Sequence, residues 1–285
     1  MARCWRWAAA VGLACVLLAV AVLAAVRTTT VIPGRPIAVT RHYAANGNFA
    51  PDGRYLPGRY GFDLADVSTP AELAALPAGV RGLVYLGSCA GADHDFTTAV
   101  DGFSDDPKLF GFYLIDDPAP ATCPRANLKS ESAYIHDHIP GARTFILEQN
   151  LSASTHPSYA GGYNPANTGV DLFGIDPYPC RTELRGCDPD MIARFVAAAE
   201  QFGIPASSIV PVFQAFGGGT WVDDGGGRYQ MPTADQLTSI LAQWAKLIPA
   251  PVFDFAYSWG SQRGDTALAN GPAGPRSALA GHNAN

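Results

Sequence analysis

Short, almost uninterrupted hydrophobic runs recur along the chain, and longer segments with apolar residues at helical spacing separate them. Runs of this kind are typical of strands buried on both faces, as in a parallel sheet covered by helices. We count seven such strands, the first beginning near Tyr60: RYGFDLADV (59–67), GLVYLG (82–87), LFGFYLI (109–115), RTFILEQ (143–149), GVDLFGIDPYP (169–179), SIVPVFQAF (208–216) and PVFDFAYSW (251–259).

The intervening segments carry helix signals. DPDMIARFVAAAEQFG (188–203) has apolar residues at helical spacing, aspartate at its start and Gly203 at its end. Ser68 or Thr69 can cap a helix that has Pro70 near its first position. Further helices are predicted in DFTTAVDGF (95–103), NLKSESAYIHDHI (127–139) and TADQLTSILAQWAKLI (233–248).

This alternation predicts an α/β fold, a single (β/α)8 TIM-like barrel. The eighth strand would come from RPIAVT (35–40) or from an irregular segment. A doubly wound open sheet is the alternative. No glycine fingerprint for a nucleotide follows the first strand, and the GGG triplets at 217–219 and 225–227 lie in a long predicted loop. We therefore expect no cofactor.

The N-terminal segment differs from the remainder. Arg3 and Arg6 precede an uncharged apolar stretch, a pattern typical of a signal peptide or an uncleaved signal anchor. We assign residues 1–27 to this leader, 28–57 to an extended arm and 58–285 to the barrel. The protein is then secreted or membrane-anchored outside the cytoplasm, and it contacts the membrane only through the leader. The sequence leaves leader cleavage and the oligomeric state open.

The charge balance narrows the class of ligand. The chain carries a net charge of −6, and the leader contributes three arginines and no acid, which leaves −9 for the remainder. Because phosphate affinity comes largely from lysine and arginine, a nucleic-acid partner is excluded. A neutral or cationic ligand fits better.

Four cysteines lie outside the leader, and an even number in an exported protein indicates two disulfides. Cys180 and Cys187 would close a short local loop, and Cys89 and Cys123 would then join two loops. We prefer this pairing to the other two by loop-closure reasoning. A zinc site is the rival, but neither CxxC nor HExxH spacing is present, so we expect no metal.

Polar residues cluster where the predicted strands end, and in barrels the active site forms at the carboxyl ends of the strands. Carboxylates and amides bind sugar hydroxyls, aromatic rings stack on sugar faces, and glycoside hydrolysis needs two carboxyl groups. The residues at strand ends are Asp63, Asp66, Ser88, Asp116, Asp117, Glu148, Gln149, Asp176, Tyr178, Gln214, Ser258 and Trp259, with Phe216, Trp221 and Tyr257 among the aromatics.

Each of these positions also has a structural interpretation. The Asp116–Asp117–Pro118 sequence is compatible with a turn, since aspartate and proline both favour turns. Asp63 and Asp66 could cap the helix that follows them. Asp176 could lie in a turn stabilised by two prolines.

Four segments carry a family resemblance: GFYLIDDP (111–118), DLFGIDPYP (171–179), VPVFQAFGG (210–218) and FDFAYSWG (253–260). Their order resembles the (β/α)8-barrel domains of secreted bacterial glycoside hydrolases and their uncharacterised relatives, over roughly residues 61–260. In those relatives the first motif usually reads D-E-P, and its glutamate resembles the acid/base of the large retaining clan. Asp117 stands there in this chain, and no late strand ends in a nucleophilic glutamate.

These observations predict an exported carbohydrate-active hydrolase. Asp117 is the expected general acid, Asp176 or Glu148 the second carboxylate, and direct activation of water would invert the product. Asp63, Asp116, Tyr178, Gln214, Trp221 and Trp259 are the expected substrate contacts. The alternative is a non-catalytic glycan-binding or cell-envelope protein on the same barrel. An ester or amide hydrolase is a weaker option, because no G-x-S-x-G elbow is present.

The adjacent acids Asp116 and Asp117 should differ in role, because neighbouring side chains on a strand point to opposite sides. We expect Asp117 to share a face with Tyr113 and Ile115 and to reach the mouth of the barrel. Asp116 should turn away and orient a loop.

Overall fold

The computed structural model of the chain describes residues 39–184, 186–223 and 225–284. Eight parallel strands close into a barrel in sequence order, with the last strand paired to the first. The predicted (β/α)8 barrel is confirmed. Its strands are β1 (Arg41–Ala44), β2 (Leu64–Val67), β3 (Arg81–Tyr85), β4 (Leu109–Ile115), β5 (Arg143–Leu147), β6 (Leu172–Ile175), β7 (Ile209–Gln214) and β8 (Phe253–Tyr257).

Helices cover the outside of the barrel. They are α1 (Pro70–Ala75), α2 (His94–Asp101), α3 (Arg125–His138), α4 (Pro165–Thr168), α5 (Asp190–Gln201), α6 (Ala234–Leu247) and α7 (Ala273–His282). Short 3-10 turns occupy Pro57–Tyr60, Thr182–Leu184 and Ala206–Ser208. Two small antiparallel sheets pair Cys180–Arg181 with Gly186–Cys187 and Gly217–Gly218 with Asp265–Thr266.

Local sequence signals explain where the predicted helices begin. The Thr69 hydroxyl accepts a hydrogen bond from the backbone N–H of Glu72, and the Glu72 carboxylate accepts one from the backbone N–H of Thr69. This capping box places Pro70 at the first helical position, where its missing N–H is not needed. Thr233 and Gln236 form the same box at the start of α6.

Two boundaries differ from prediction. Strand β1 lies inside the segment assigned to the arm, just after RPIAVT, so the barrel begins earlier than residue 58. Strand β2 begins at Leu64 instead of at the start of RYGFDLADV, because Pro57–Tyr60 forms a 3-10 turn and Gly61 follows in the left-handed region at φ 81°. Helix α7 was not predicted, since its alanines and glycines give only a weak apolar periodicity.

Two hydrophobic layers hold the barrel together. Inside the strands, Tyr43, Tyr113, Phe145 and Phe255 fill the lumen with edge-to-face and tilted ring contacts. Gly174 is needed in this layer, because a Cβ atom there would lie 2.6 Å from a methyl group of Leu147. A second layer packs the helices on the strands and includes Leu73, Phe112, Ile135, Ile192 and Trp244.

Both predicted disulfides are present. Cys89–Cys123 joins the loop after β3 to the loop after β4, and Cys180–Cys187 closes the loop after β6. The pairing is compatible with an oxidising, extracytoplasmic compartment. In the described part of the chain, no helix has the length and apolarity needed to cross a membrane. The predicted leader lies outside the described residues.

Candidate active site

The loops after β4, β5 and β6 bring Asp117, Glu148 and Asp176 together at the C-terminal end of the barrel, here called the mouth. The charge of Asp117 raises the pKa values of both Glu148 and Asp176, although burial is the larger cause at each of the two. These three predicted residues therefore lie near one another at the same end of the barrel. The reason is topological, since parallel strands of one barrel all end on the same side.

A strand irregularity sets the direction of the two adjacent acids. The pairing of β4 with β5 shifts register between Tyr113 and Ile115. Tyr113 faces the lumen, whereas Leu114 and Ile115 both pack in the outer layer. Asp116 then returns to the lumen side, where its Oδ1 accepts a hydrogen bond from the Tyr113 hydroxyl at 2.6 Å.

The expectation that Asp116 turns away from the mouth is therefore wrong. The prediction assumed that successive side chains alternate between the two faces of the strand. The register shift interrupts this alternation before Asp116. Asp117 follows in the left-handed region at φ 44°, which is uncommon for a residue with a Cβ atom. Both carboxyl groups reach the mouth, with Asp116 toward the lumen tyrosines and Asp117 toward Glu148 and Asp176.

Asp117 combines access to solvent with a perturbed proton affinity. Asp116 and Asp117 are exposed by surface area, yet protein surrounds both side chains, as expected on the floor of an open cleft. Burial among these walls, followed by the charge of Asp116, raises the pKa of Asp117 to about 7. Burial also raises the pKa of Asp116, and the Tyr113 hydroxyl partly opposes that shift.

Glu148 lies beneath the cleft and is only 1% exposed. Its Oε1 accepts a hydrogen bond from the backbone N–H of Tyr163 at 3.0 Å, while its buried Oε2 has no hydrogen-bond partner. Gly162 makes room for this carboxyl group, because a Cβ atom there would lie 2.3 Å from Oε1. Burial raises the pKa of Glu148 to about 8; Asp117 adds to the shift, and Tyr163 and Arg125 oppose it.

Asp176 follows β6, and burial raises its pKa well above the ordinary aspartate range. The charges of Asp117 and Asp116 add to this shift, and Arg181 opposes it more weakly. Tyr159 lies against the same cluster: it is 1% exposed, its hydroxyl has no hydrogen-bond partner, and the charges of Asp176, Glu148 and Asp117 add to the burial that raises its pKa.

An aromatic wall borders the carboxyl cluster. Tyr178, in the left-handed region at φ 40°, has its ring centroid 5.1 Å from that of Phe216 and 5.9 Å from that of Tyr257. Trp221 extends the wall, donates from its indole N–H to Asp265 at 3.1 Å, and lies under the guanidinium of Arg263 at 4.1 Å. Such a wall can stack on the apolar face of a sugar ring.

A second group of tyrosines occupies the side of the mouth around Asp116. Asp66 accepts a hydrogen bond from the backbone N–H of Asn46 at 2.8 Å, and burial raises the pKa of Asp66. Tyr43 bonds to Asp66 from the lumen, while Tyr85 is 41% exposed at the rim.

Three predicted site residues do not face the cleft. Asp63 precedes β2, so it lies at the N-terminal end of the barrel, where it accepts from Arg41 and from the backbone of His42, both at 2.8 Å; its predicted position at a strand end is wrong. Gln214 is fully buried and bonds the backbone of Cys180 and Gln230, which leaves its amide engaged with loops.

Trp259 is 2% exposed and packs in the outer layer against Tyr60. Tyr159, by contrast, was missed by sequence reasoning. It lies in a long loop without periodicity, so nothing in the sequence pattern places it beside the carboxyl groups. Tyr113 could have been found, because it lies at a lumen position of a predicted strand.

One group in the described ranges could supply three metal ligands, namely His42, Asp254 and His282, whose ligand atoms lie within 4.8 Å of one another. It lies at the N-terminal end of the barrel, away from the mouth. Asp254 already pairs with His42 at 2.9 Å and with His282 at 2.8 Å. These hydrogen bonds attach α7 to the barrel.

The arrangement at the mouth is suited to proton transfer. A carboxyl group with a pKa near the working pH can donate and accept protons at similar cost, and neighbouring carboxyl groups separate the two roles. Titratable groups perturbed by burial and by specific neighbours concentrate at functional sites. The cluster of Asp117, Glu148 and Asp176 has this character.

Comparisons with known proteins show the class of fold. No protein-family model matches the chain, and no curated protein sequence matches it. Among solved structures, it is similar to a GH18 chitinase from Cycas revoluta in complex with (GlcNAc)3, with TM-score 0.53 and 11% identity over 86% of this chain and 100% of the other.

Two further barrels give the same result. One is the cellulose synthase subunit Z from Clostridioides difficile, with TM-score 0.50 and 10% identity over 84% of this chain and 99% of the other. The second is the C-terminal domain of a putative chitinase from Desulfitobacterium hafniense DCB-2, with TM-score 0.50 and 9% identity over 86% and 99%. At these identities the likeness establishes the shared barrel fold.

Proposed function

We propose that the chain is a carbohydrate-active hydrolase that cleaves a glycosidic bond at the mouth of the barrel. The observation that carries this proposal is the convergence of Asp117, Glu148 and Asp176 from three separate strand ends, with pKa values raised by burial and by one another. Glycoside hydrolysis uses a pair of carboxyl groups, one holding a proton and one ionised. Barrels of this fold include structures described as chitinases, which agrees with the proposal.

We assign a role to each of the three carboxyl groups from its exposure to the cleft. Asp117 is exposed to the cleft, so it can reach a glycosidic oxygen, and its pKa of about 7 keeps a proton available near neutral pH. Asp176 is half-buried on the same cleft and is the second carboxylate once it ionises. Glu148 lies beneath the cleft, so we assign it no proton transfer to the glycosidic oxygen; it positions and tunes the other two carboxyl groups.

The aromatic wall supplies the substrate platform. Trp221 and Tyr257 are partly exposed and stack against the ring faces of bound sugar units, while Tyr178 supports them from below. Asp116 and the exposed Tyr85 offer hydrogen bonds on the other side of the cleft.

A non-catalytic glycan-binding protein is the second candidate, and one observation favours it. The late strand β7 ends in Gln214, whose amide is held by backbone groups, and β8 ends in Tyr257. Neither offers the late glutamate that the resemblance to retaining glycosidases implies. Asp117, one methylene shorter than the glutamate of that motif, would then contact sugar without cleaving it.

A glycan panel separates these candidates. The purified protein and its Asp117→Asn variant are incubated with neutral, N-acetylated and amino oligosaccharides, and both binding and released sugars are measured. Product formation that disappears in the variant supports hydrolysis. Tight binding without product in either protein supports the binding function, and the absence of both binding and product contradicts the proposal.

We also propose that the protein is exported. The two disulfides fit this localisation, because thiols in the cytosol are kept reduced. Cell fractionation should recover the protein outside the cytoplasm, and non-reducing peptide mapping should find Cys180 linked to Cys187, whereas cytoplasmic protein with four free thiols would contradict export.

A further inference from the structure

We propose that the mouth accepts a sugar unit that carries a free amine, with its ammonium group among Asp117, Glu148 and Asp176 and beside the hydroxyl of Tyr159. The inference rests on the proposed carbohydrate function and specifies its substrate class. It concerns the positive charge that a ligand would bring to these carboxyl groups.

The first observation concerns the basic side chains around the carboxyl cluster. Within the described ranges, Asp117, Glu148 and Asp176 form no salt bridge. The two arginines that act on the cluster are directed at other groups. Arg125 donates to Gly162 O at 3.0 Å, and Arg181 donates to the carbonyls of Tyr178 and Pro177 at 3.0 and 3.2 Å. Among the described residues, no basic side chain is therefore in salt-bridge contact with the cluster, which leaves its carboxyl groups available to a cationic ligand.

Unpartnered polar atoms point independently to a ligand at this place. Glu148 Oε2 and the Tyr159 hydroxyl are buried and have no hydrogen-bond partner. A buried polar atom without a partner costs free energy, so native proteins seldom retain one without a functional reason. Both atoms belong to side chains that are 99% buried beside Asp117 and Asp176.

An ammonium group matches this set of atoms. It offers three donors and no acceptor, whereas ionised carboxylates only accept, and the Tyr159 hydroxyl can accept as well. A sugar hydroxyl can donate one hydrogen bond but does not offset the charge. An acetylated amine brings a carbonyl acceptor against the carboxylates and loses the positive charge. The cleft should therefore favour the deacetylated sugar.

Binding of an ammonium group should displace protons from the cluster. At about pH 6, groups with raised pKa values keep their protons, and a nearby cation favours the ionised form. Besides the three carboxyl groups, the charged or titratable groups that face this position are Asp116, Tyr159, Tyr178, Tyr257, Arg125 and Arg181. The tyrosine pKa values are raised, so these hydroxyls stay protonated through this range.

Calorimetry with three matched oligosaccharides tests the inference. A glucosamine tetramer, its fully N-acetylated counterpart and a glucose tetramer of the same linkage are titrated into the protein at about pH 6, in two buffers with different protonation enthalpies. We expect the glucosamine tetramer to bind about tenfold or more tightly than either analogue and to release protons. The analogues should release few or none.

Two variants sharpen the test. Glu148→Gln should reduce the preference for the amine and the proton release together, because it removes one acceptor charge and one proton. Asp137→Asn removes an exposed carboxylate at the far end of α3 and should leave both unchanged. If Glu148→Gln fails to fold, the proton release of the wild-type protein still decides.

The possible results distinguish a failure of this inference from a failure of the proposed carbohydrate function. Equal or tighter binding of the acetylated or glucose tetramer, without proton release by the amine, overturns the inference and leaves a carbohydrate function standing. A preference for the amine that Asp137→Asn abolishes as strongly as Glu148→Gln also overturns it. If no oligosaccharide in the wider glycan panel binds or is cleaved, the proposed function itself fails.

Discussion

The carboxyl groups at the two ends of the barrel differ in whether they pair with basic side chains. At the N-terminal end, Asp63, Asp171 and Asp254 each pair with a basic side chain: Asp63 with Arg41 at 2.8 Å, Asp171 with His136 at 3.0 Å, and Asp254 with two histidines. At the mouth, Asp117, Glu148 and Asp176 crowd one another without such a partner in the described chain. In the described residues, the carboxylates of one end are paired within the protein, whereas those of the other end are not.

Backbone conformation follows the same division. Among the residues that the structure describes, the non-glycine residues in the left-handed region are Asn46, Asp117, Tyr178 and Arg263. Each lies in a loop that follows a barrel strand, so all belong to the mouth. Left-handed residues with a Cβ atom cost free energy and cluster at functional sites. Strain and unpaired charge therefore coincide at one end of the fold.

The largest expected effect comes from breaking the satisfied end. Asp254→Asn leaves His42 and His282 without the carboxylate that joins them and loosens α7, so we expect a loss of about 3 kcal/mol in the free energy of unfolding. Denaturant unfolding measures this loss. The control is Asp52→Asn, which removes an exposed pair with Arg54 and should change stability by about 0.5 kcal/mol or less. Similar losses in both variants would break the comparison.

At the mouth, the corresponding substitution should affect turnover and leave the fold intact. Asp117→Asn keeps the shape of the side chain and removes the proton donor, so we expect about a 10²-fold lower turnover without a decrease in the unfolding midpoint. Wild-type turnover should fall as pH rises through about 7, because the acid then loses its proton. Near wild-type turnover in the variant would remove Asp117 from the mechanism.

Glu148→Gln should increase the free energy of unfolding above the pH at which glutamate ionises in the unfolded chain. This increase should be smaller than the loss expected for Asp254→Asn. The folded pKa of Glu148 is about 8, above its ordinary value of 4.5, so the folded chain holds a proton that the unfolded chain has released between these pH values. Wild-type stability therefore falls as pH rises through this window.

Glutamine has no proton to lose. The Glu148→Gln variant should therefore gain about 1–2 kcal/mol over the wild type at pH 8 relative to pH 5, as determined from denaturant unfolding at both values. Asp137→Asn, which changes an exposed carboxylate, is the matched control. A stability difference between the variant and the wild type that is the same at pH 5 and pH 8 would contradict the assignment.

The fold was largely predictable because strand periodicity and helix caps are local signals. LFGFYLI became β4 at the predicted residues, and Thr69 caps α1 as expected. Strand β1 was missed because four residues after a proline-rich segment give too little pattern. Asp63 was misplaced because its distance from the strand start depends on a turn at Pro57–Tyr60 that hydrophobic alternation does not reveal.

The site was predictable in its acids and not in its details. Strand ends marked Asp117, Glu148 and Asp176, since topology alone brings strand ends together. The direction of Asp116 was not predictable, because it depends on the register shift in β4. Gln214 ends β7 and Trp259 follows β8, so both lie at the mouth end of the barrel. Loops cover both side chains, and this burial can be seen only in the tertiary structure.

The contrast between the two ends is tested most directly by a pH titration of the side-chain carboxyl groups. The titration is observed by NMR on protein labelled with ¹³C at aspartate and glutamate. The Asp117→Asn, Glu148→Gln and Asp176→Asn variants assign the signals and separate them from Glu131, a buried group away from the cluster whose pKa burial also raises to about 7. The account predicts that Asp117 titrates at about 7 and Glu148 at about 8, with Asp176 shifted in the same direction. Titration of all three groups at about 4, the ordinary range for exposed carboxyl groups, would contradict it.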